Sequence, residues 1–326
     1  MTMTVTAPDL GNLGKVGVLY GGRSAEREVS LMSGQAVYQA LLDEGVNAHL
    51  FDLGQHGLGE LAQAKFDRVF VALHGRYGED GTIQGALELL GIPYTGSGHL
   101  ACALAMDKIM TKRVWEQAGL PTPNYRVVRQ ADDLSGLPQA LGLPLILKAP
   151  NEGSTIGLAK VTDEAQLHEA YDDVRRFDDT ILAEKFIPGR ELTVALIGAG
   201  SEACALPIVE IIAPGGNYDY QSKYFSDETQ YLCPAPLPQT LQQQVSEIAV
   251  RAYQALACEG WARADFMLDA DMKPWLLEMN ASPGMTGHSL VPMAAKEAGL
   301  SFGQLCLRIL SQARCKVVQR DLANRR

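Results

Sequence analysis

Two hydrophobic periods alternate along this chain, and together they lay out its elements. Residues 15–20 (Lys-Val-Gly-Val-Leu-Tyr) read as a short buried strand, followed by Gly21-Gly22 and by Ser24 as a helix N-cap. Apolar residues then recur at Val29, Met32, Ala36, Val37, Ala40 and Leu41, the spacing of one helical face, until Gly45 stops the run. Strands are predicted over 48–53 and 68–73, Gly-rich turns over 74–81, and a helix near 83–90. Strands alternating with helices imply a parallel, helix-covered sheet, so about the first 95 residues form a small α/β unit.

A helix over 101–119 leads to Pro121 and Pro123, a natural junction. Strands over 145–148, 157–161 and 180–186, with an acidic helix near 164–177, describe a small α+β module. Pro188-Gly189 marks a second junction. Beyond it lie strands over 191–197 and 203–211, a long polar loop over 214–238, and a helix carrying Leu241, Val245, Ile248, Ala249, Ala252 and Leu256. Strands over 262–268 and 275–280 and helices near 290–298 and 302–313 complete the pattern. A long loop inside a compact unit suggests function, and the tyrosines at 218, 220, 224 and 231 suggest a lid.

Composition narrows the class. Hydrophobic residues make up 47% and charged residues 20%, which suits a folded globular chain. With Lys+Arg 28 against Asp+Glu 38, the net charge of −10 argues against nucleic acid or an anionic membrane as partner. No apolar run reaches the roughly 18 residues of a membrane span. The leader, residues 1–14, reads as flexible and lacks the pattern of a signal peptide. The six cysteines show no metal-like spacing, and a reducing cytoplasm is the expected location.

The strongest chemical signal is a hairpin of carboxylates. If Asp269 pairs with Pro274, Asp265 faces Glu278 and Arg263 faces Asn280, with all four on one face. Ala264, Phe266, Leu268 and Leu277 then take the apolar face. Opposed carboxylates repel and need a counter-cation. Asp265, Glu278 and Asn280 are hard oxygen donors suited to Mg²⁺ that completes its shell with water and phosphate. A solvated strand face with a cross-strand salt bridge is the bland alternative; the following Ser282-Pro283-Gly284 turn favours the metal.

Lys148 ends a strand before Asn151-Glu-Gly-Ser-Thr-Ile-Gly157, a loop able to lay N–H groups on phosphate, although an ordinary turn would read the same. Gly198-Ala-Gly-Ser-Glu-Ala203 mimics a dinucleotide fingerprint, yet Pro207 and a strand follow instead of a helix, so it reads as a hairpin turn. Glu26 and Glu28 at a helix start either complement the helix dipole or, for Glu26, accept a substrate ammonium. His74 ends a parallel strand, where α/β sites lie.

Together these residues resemble a known family. Gly21–Ser30, His74–Thr82, Pro93–Gly98, Met106–Lys108, Glu152–Ser154, Tyr218–Tyr224 and Leu277–Thr286 resemble, in order, the motifs of the D-alanine–D-alanine ligases of the ATP-grasp superfamily, over about residues 15–313. Departures are mild: Thr155, Ala149, Ala262 and Ala281 replace frequent Ser, Pro, Gly and Thr.

The resemblance implies a fold of α/β and α+β class, the three-domain ATP-grasp fold. An N-terminal parallel-sheet (pre-ATP-grasp) domain over 15–100 would bind substrate. A central subdomain would span 101–187, and a C-terminal subdomain, 188–326, would carry the metal site and the lid at 214–238. The resemblance further implies two D-alanine substrates, ATP, Mg²⁺ or Mn²⁺, and a homodimer. Lys108, Lys148, Glu184, Lys185, Glu191 and Lys223 would bind ATP. Asp265, Glu278 and Asn280 would hold the metal. Glu26, Ser154, Tyr224, Arg263 and Gly284 would serve catalysis, and His74, Ser289 and Leu290 would contact substrate. Tyr224 would favour an amine over a hydroxyl nucleophile. Two rival readings are a ligase for another acid and amine, and a nucleotide-binding module without catalysis.

Overall fold

The computed structural model describes residues 13–153, 157–213 and 229–317. The chain begins with β1 (Val16–Tyr20), α1 (Arg27–Asp43), β2 (Ala48–Asp52), α2 (Leu58–Gln63), β3 (Arg68–Val71) and α3 (Thr82–Leu90). The three strands form the expected parallel sheet, in the order β2-β1-β3. Ser24 is not the cap of α1: its hydroxyl donates to the His74 carbonyl at 2.7 Å and accepts the Glu26 N–H at 3.2 Å. The helix therefore starts later, with Glu26 at the N-cap.

The single helix expected over 101–119 is two helices, α4 (His99–Met106) and α5 (Lys108–Gln117). Asp107 breaks them. Its backbone is extended, and its carboxylate accepts the N–H groups of Ile109 and Met110 at 2.9 and 3.0 Å, starting α5 afresh.

The middle of the chain supplies β4 (Tyr125–Val128), α6 (Leu137–Leu141), β5 (Leu145–Lys148), β6 (Leu158–Val161), α7 (Leu167–Val174) and β7 (Ile181–Lys185). These strands make an antiparallel sheet, β4-β7-β5-β6. Val128, Leu145, Leu147, Val161, Leu167, Tyr171 and Val174 close a core of their own beneath it.

The remainder comprises β8 (Arg190–Gly198), β9 (Cys204–Ala205), β10 (Val209–Ile212), β11 (Gln230–Leu232), α8 (Gln239–Ala255), β12 (Gly260–Leu268), β13 (Pro274–Asn280), α9 (Leu290–Glu297) and α10 (Phe302–Ser311). The sheet runs β11-β10-β8-β12-β13, with β9 also on β8. Gly198–Ala203 is the hairpin turn that joins β8 to β9, pairing Ile197 with Cys204. The one strand expected over 203–211 is split into β9 and β10, with Pro207, which has no N–H to give a ladder, between them.

Alternation divides this sheet between two cores. Leu192, Val194, Leu196, Ala262, Ala264, Phe266 and Leu268 pack with the apolar stripe of α8. Ala195, Ile197 and Trp261 share the opposite core with Val16, Val18, Phe70 and residues of α1, α9 and α10. The first layer is thereby welded to the last. At the seam Gly260, at φ +79, passes so close to Gly96 that a Cβ would lie 2.8 Å from its Cα.

The hairpin register is half as expected. Arg263 pairs with Asn280 and Asp265 with Glu278, but a bulge follows, and Phe266 pairs with Leu276 and Leu268 with Pro274. Asp269 does not pair with Pro274, because its carboxylate closes the turn on the N–H groups of Asp271 and Lys273 and the indole N–H of Trp275. Leu277 is the extra residue and is only half-buried; Leu276 and Met279 take the core positions instead.

Candidate active site

Five stretches well separated in sequence meet at one cleft. Its walls include Glu26, Glu79, Lys108, Gly153, Arg263, Glu278 and Asn280. Glu26 arrives at the N-cap of α1, whose approach is pinned by Asp52. That carboxylate takes Arg27 in a two-pronged pair at 2.9 and 2.6 Å and the N–H of Gly54 at 2.7 Å. The Arg27 guanidinium, above all, holds the Asp52 carboxyl below its ordinary value.

From the hairpin, Arg263 donates through Nε and Nη2 to Asp265 at 2.7 and 2.6 Å, and Thr193 donates its hydroxyl to the same carboxylate at 2.8 Å. Across the ladder, Glu278 pairs with Lys108 at 3.2 Å. Two basic side chains thus flank two opposed carboxylates. The lining of the cleft includes Arg263, Glu278 and Asn280, while Asp265 lies behind Arg263, buried. Among the described residues no three His, Cys, Asp or Glu side chains form a ready-made metal cluster. Glu278 and the Asn280 amide face the cleft as hard oxygen donors of the kind Mg²⁺ takes, and Asp265, of the same chemistry, is held beside them by Arg263 and Thr193.

Lys148 ends β5 and lies 3.1 Å from Glu184 Oε1 on the neighbouring β7. Glu184 Oε2 is 2.5 Å from Lys112, a lysine with no exposed surface. Lys112 also donates to the Thr122 hydroxyl at 2.6 Å and the Pro123 carbonyl at 3.0 Å. Burial pulls Lys112 down to about 8, against the raising effect of Glu184. Burial works to raise Glu184, but the two lysines prevail and hold it below its ordinary value. Lys185 is exposed at the end of β7, and Glu191 lies on β8 opposite Met267 of β12.

His74 is buried, and both ring nitrogens are engaged: Nδ1 with the Ser282 carbonyl at 2.8 Å and Nε2 with the Ser33 hydroxyl at 2.9 Å. Burial keeps it below the usual histidine value. Glu79, in the turn after His74, accepts the Gly75 N–H at 2.9 Å, and burial pushes its carboxyl up to about 8. Ser289 caps α9, and its hydroxyl accepts the Thr286 N–H at 2.9 Å; Leu290 is buried beside it. Gly284 is buried in the turn after Asn280. Ser154, Lys223 and Tyr224, and most of the 214–238 loop, lie outside the described residues.

Sequence reasoning missed Lys112, Glu79 and Ser33. Glu79 stands within a recognised motif, and Lys112 is one helical turn beyond Lys108; Ser33 carries no local signal at all.

The family model for the C-terminus of D-Ala D-Ala ligases matches residues 114–311, and the model for the N-terminus matches 15–63 and 54–97. The chain belongs to the D-alanine–D-alanine ligase family. A relative of that name from Bordetella petrii is 65% identical over 316 residues, 97% of each chain. Among solved structures, the D-alanine–D-alanine ligase of Bacillus anthracis complexed with ATP superposes with a TM-score of 0.78 at 32% identity, covering 91% of this chain and 96% of that one. The VanG D-Ala:D-Ser ligase of Enterococcus faecalis gives 0.79 at 28% identity, covering 91% and 98%. Family membership thus accounts for the ATP-grasp architecture.

Proposed function

We propose that this chain is an ATP-dependent D-alanine–D-alanine ligase: ATP and two D-alanines give D-alanyl-D-alanine, ADP and phosphate. The observation that carries this is the arrival of Glu26, Lys108, Arg263, Glu278 and Asn280 at one cleft from separate stretches of the chain. The product serves peptidoglycan precursor synthesis, the role of this family.

A carboxylate is a poor electrophile, so it must first be activated. The first D-alanine places its ammonium on Glu26, and its carboxylate oxygen attacks the γ-phosphorus. The bond to the β-phosphate oxygen breaks and ADP leaves, giving an acyl phosphate. Lys108 and Lys148 offset phosphate charge. Glu184, Lys185, Glu191 and Lys223 complete the nucleotide site. Asp265, Glu278 and Asn280 would hold Mg²⁺, or Mn²⁺, which when bound supplies further charge neutralisation at the phosphates. The free amine of the second D-alanine, oriented by Ser289 and Leu290, then attacks the acyl carbon. Arg263 and the Gly284 N–H receive the developing oxyanion, the acyl C–O bond breaks, and the departing phosphate, which keeps that electron pair, takes up the proton shed by the amine. Ser154 and Tyr224 would close over the first substrate with Glu26.

In this reading the chain has three units, 15–100, 101–187 and 188–326, acts as a homodimer, and works in the cytoplasm. No helix among the described residues is long and apolar enough to cross a membrane.

A phosphate-release assay over D-alanine, L-alanine and D-lactate tests the proposal. Turnover with D-alanine alone is expected; turnover with L-alanine and not D-alanine would overturn it. Glu278→Gln should keep its melting temperature and lose about 100-fold in kcat, since one charged donor to the metal is gone. Near-normal turnover would refute the metal assignment.

A further inference from the structure

The turn after Asn280 is held at both ends, and one helix residue completes the hold. At its start, the Ser282 N–H donates to Asn280 Oδ1 at 3.2 Å, and the Ser282 hydroxyl donates to the Leu73 carbonyl at 2.9 Å. His74 Nδ1 lies 2.8 Å from the Ser282 carbonyl. At its end, the Met285 N–H donates to the Ser33 hydroxyl at 3.1 Å, and the same hydroxyl lies 2.9 Å from His74 Nε2.

Proton directions follow from what each atom can do. A carbonyl only accepts, so Nδ1 carries the proton. Burial holds His74 below the usual histidine value, which favours the neutral ring with its lone pair on Nε2. The Ser33 O–H must then donate to Nε2, and its lone pair accepts the Met285 N–H. Every proton in the chain then has an acceptor. Ser33 is wholly buried on α1. There an alanine would make the better helix residue, and a hydroxyl without partners would be costly.

We infer that Ser33 is a positioning residue for the reacting centre: through His74 and the Met285 N–H it fixes the Ser282–Met285 turn, and so aims the N–H of Gly284, which lies between those anchors. The inference rests on the proposed reading in which Arg263 and the Gly284 N–H receive the oxyanion.

Ser33→Ala tests it, with three readouts: kcat, the KM for ATP, and affinity for a tetrahedral phosphinate analogue of the dipeptide. We expect kcat to fall about tenfold, phosphinate affinity to fall by a similar factor, and the KM for ATP to stay within twofold. A merely structural role would not weaken the phosphinate selectively. A folded variant with kcat within twofold of the parent overturns the inference, as does lost turnover with unchanged phosphinate affinity. If Ser33→Ala is insoluble, Ser33→Cys carries the same readouts with a weaker donor, and about a threefold loss of kcat and phosphinate affinity is expected; unchanged values there overturn it. Arg263→Ala separates the two levels. Normal kcat in that variant sinks the oxyanion reading itself, whereas collapse of kcat there beside an unaffected Ser33→Ala sinks the role of Ser33 alone.

Discussion

The first and last parts of the chain share a core, whereas the antiparallel module in the middle, residues 125–185, keeps its own. Val16, Val18 and Phe70 of the parallel sheet pack with Ile197, Trp261 and Leu305 across the seam, and the Phe70 and Trp261 rings lie 6.1 Å apart. The middle sheet closes separately over Leu145, Leu147 and Val161. Around the cleft it meets the rest through polar contacts. Arg76 pairs with Glu152 at 2.7 Å, Lys108 donates to the Glu152 carbonyl at 2.7 Å, and the Lys108 N–H donates to the Pro150 carbonyl at 3.2 Å. Apolar burial fixes one body irrespective of what is bound, while ion pairs and single hydrogen bonds are weak enough to be exchanged for those of a ligand. The groups assigned to the amino acids, Glu26, Arg263 and Gly284, stand on the first body, and Lys148 stands on the second.

The largest effects should come from the two cores. Trp261→Ala should cost about 3–5 kcal/mol in urea unfolding and loosen the first and last layers together. Leu147→Ala should cost about 3 kcal/mol and expose the middle part first, which limited proteolysis would show as early cleavage between residues 121 and 188. Simultaneous cleavage throughout in both variants would erase the distinction. Next in size, Lys112→Met should raise the KM for ATP about tenfold while the KM for D-alanine stays within twofold, because Glu184 then has only Lys148 to bind. The parent enzyme should show a related loss as pH rises through about 8, where Lys112 gives up its proton, and the variant should not. The smallest effect is expected at the rim. Arg76→Ala removes a half-exposed pair and should cost at most about 1 kcal/mol, less in high salt.

The parallel sheet, the antiparallel module and the carboxylate hairpin were legible because each rests on a local period. Asp265 opposite Glu278 was expected from an Asp269–Pro274 register that does not form; the bulge at Leu277 restores that pairing. What escaped was set by competition or distance. Asp107 sits in a run whose period continues through it, and only its capping bonds reveal the break. The bulge at Leu277 arises because Asp269 ties the turn more tightly than strand pairing would. Lys112 looks like any polar residue of an amphipathic helix, and its worth comes from Glu184, 72 positions away. Ser33 is tied to Met285, whose partner lies at a separation of 252 residues.

The helix α5 has one more consequence. Lys108 and Lys112 stand on the same rod, four residues and about 6 Å apart along its axis. One reaches toward Glu278 and the other toward Glu184, so the rod acts as a caliper whose jaws rest on two different sheets. Losing a single residue among 109–111 would swing one jaw by about 100° relative to the other, and no side-chain adjustment would restore the gauge.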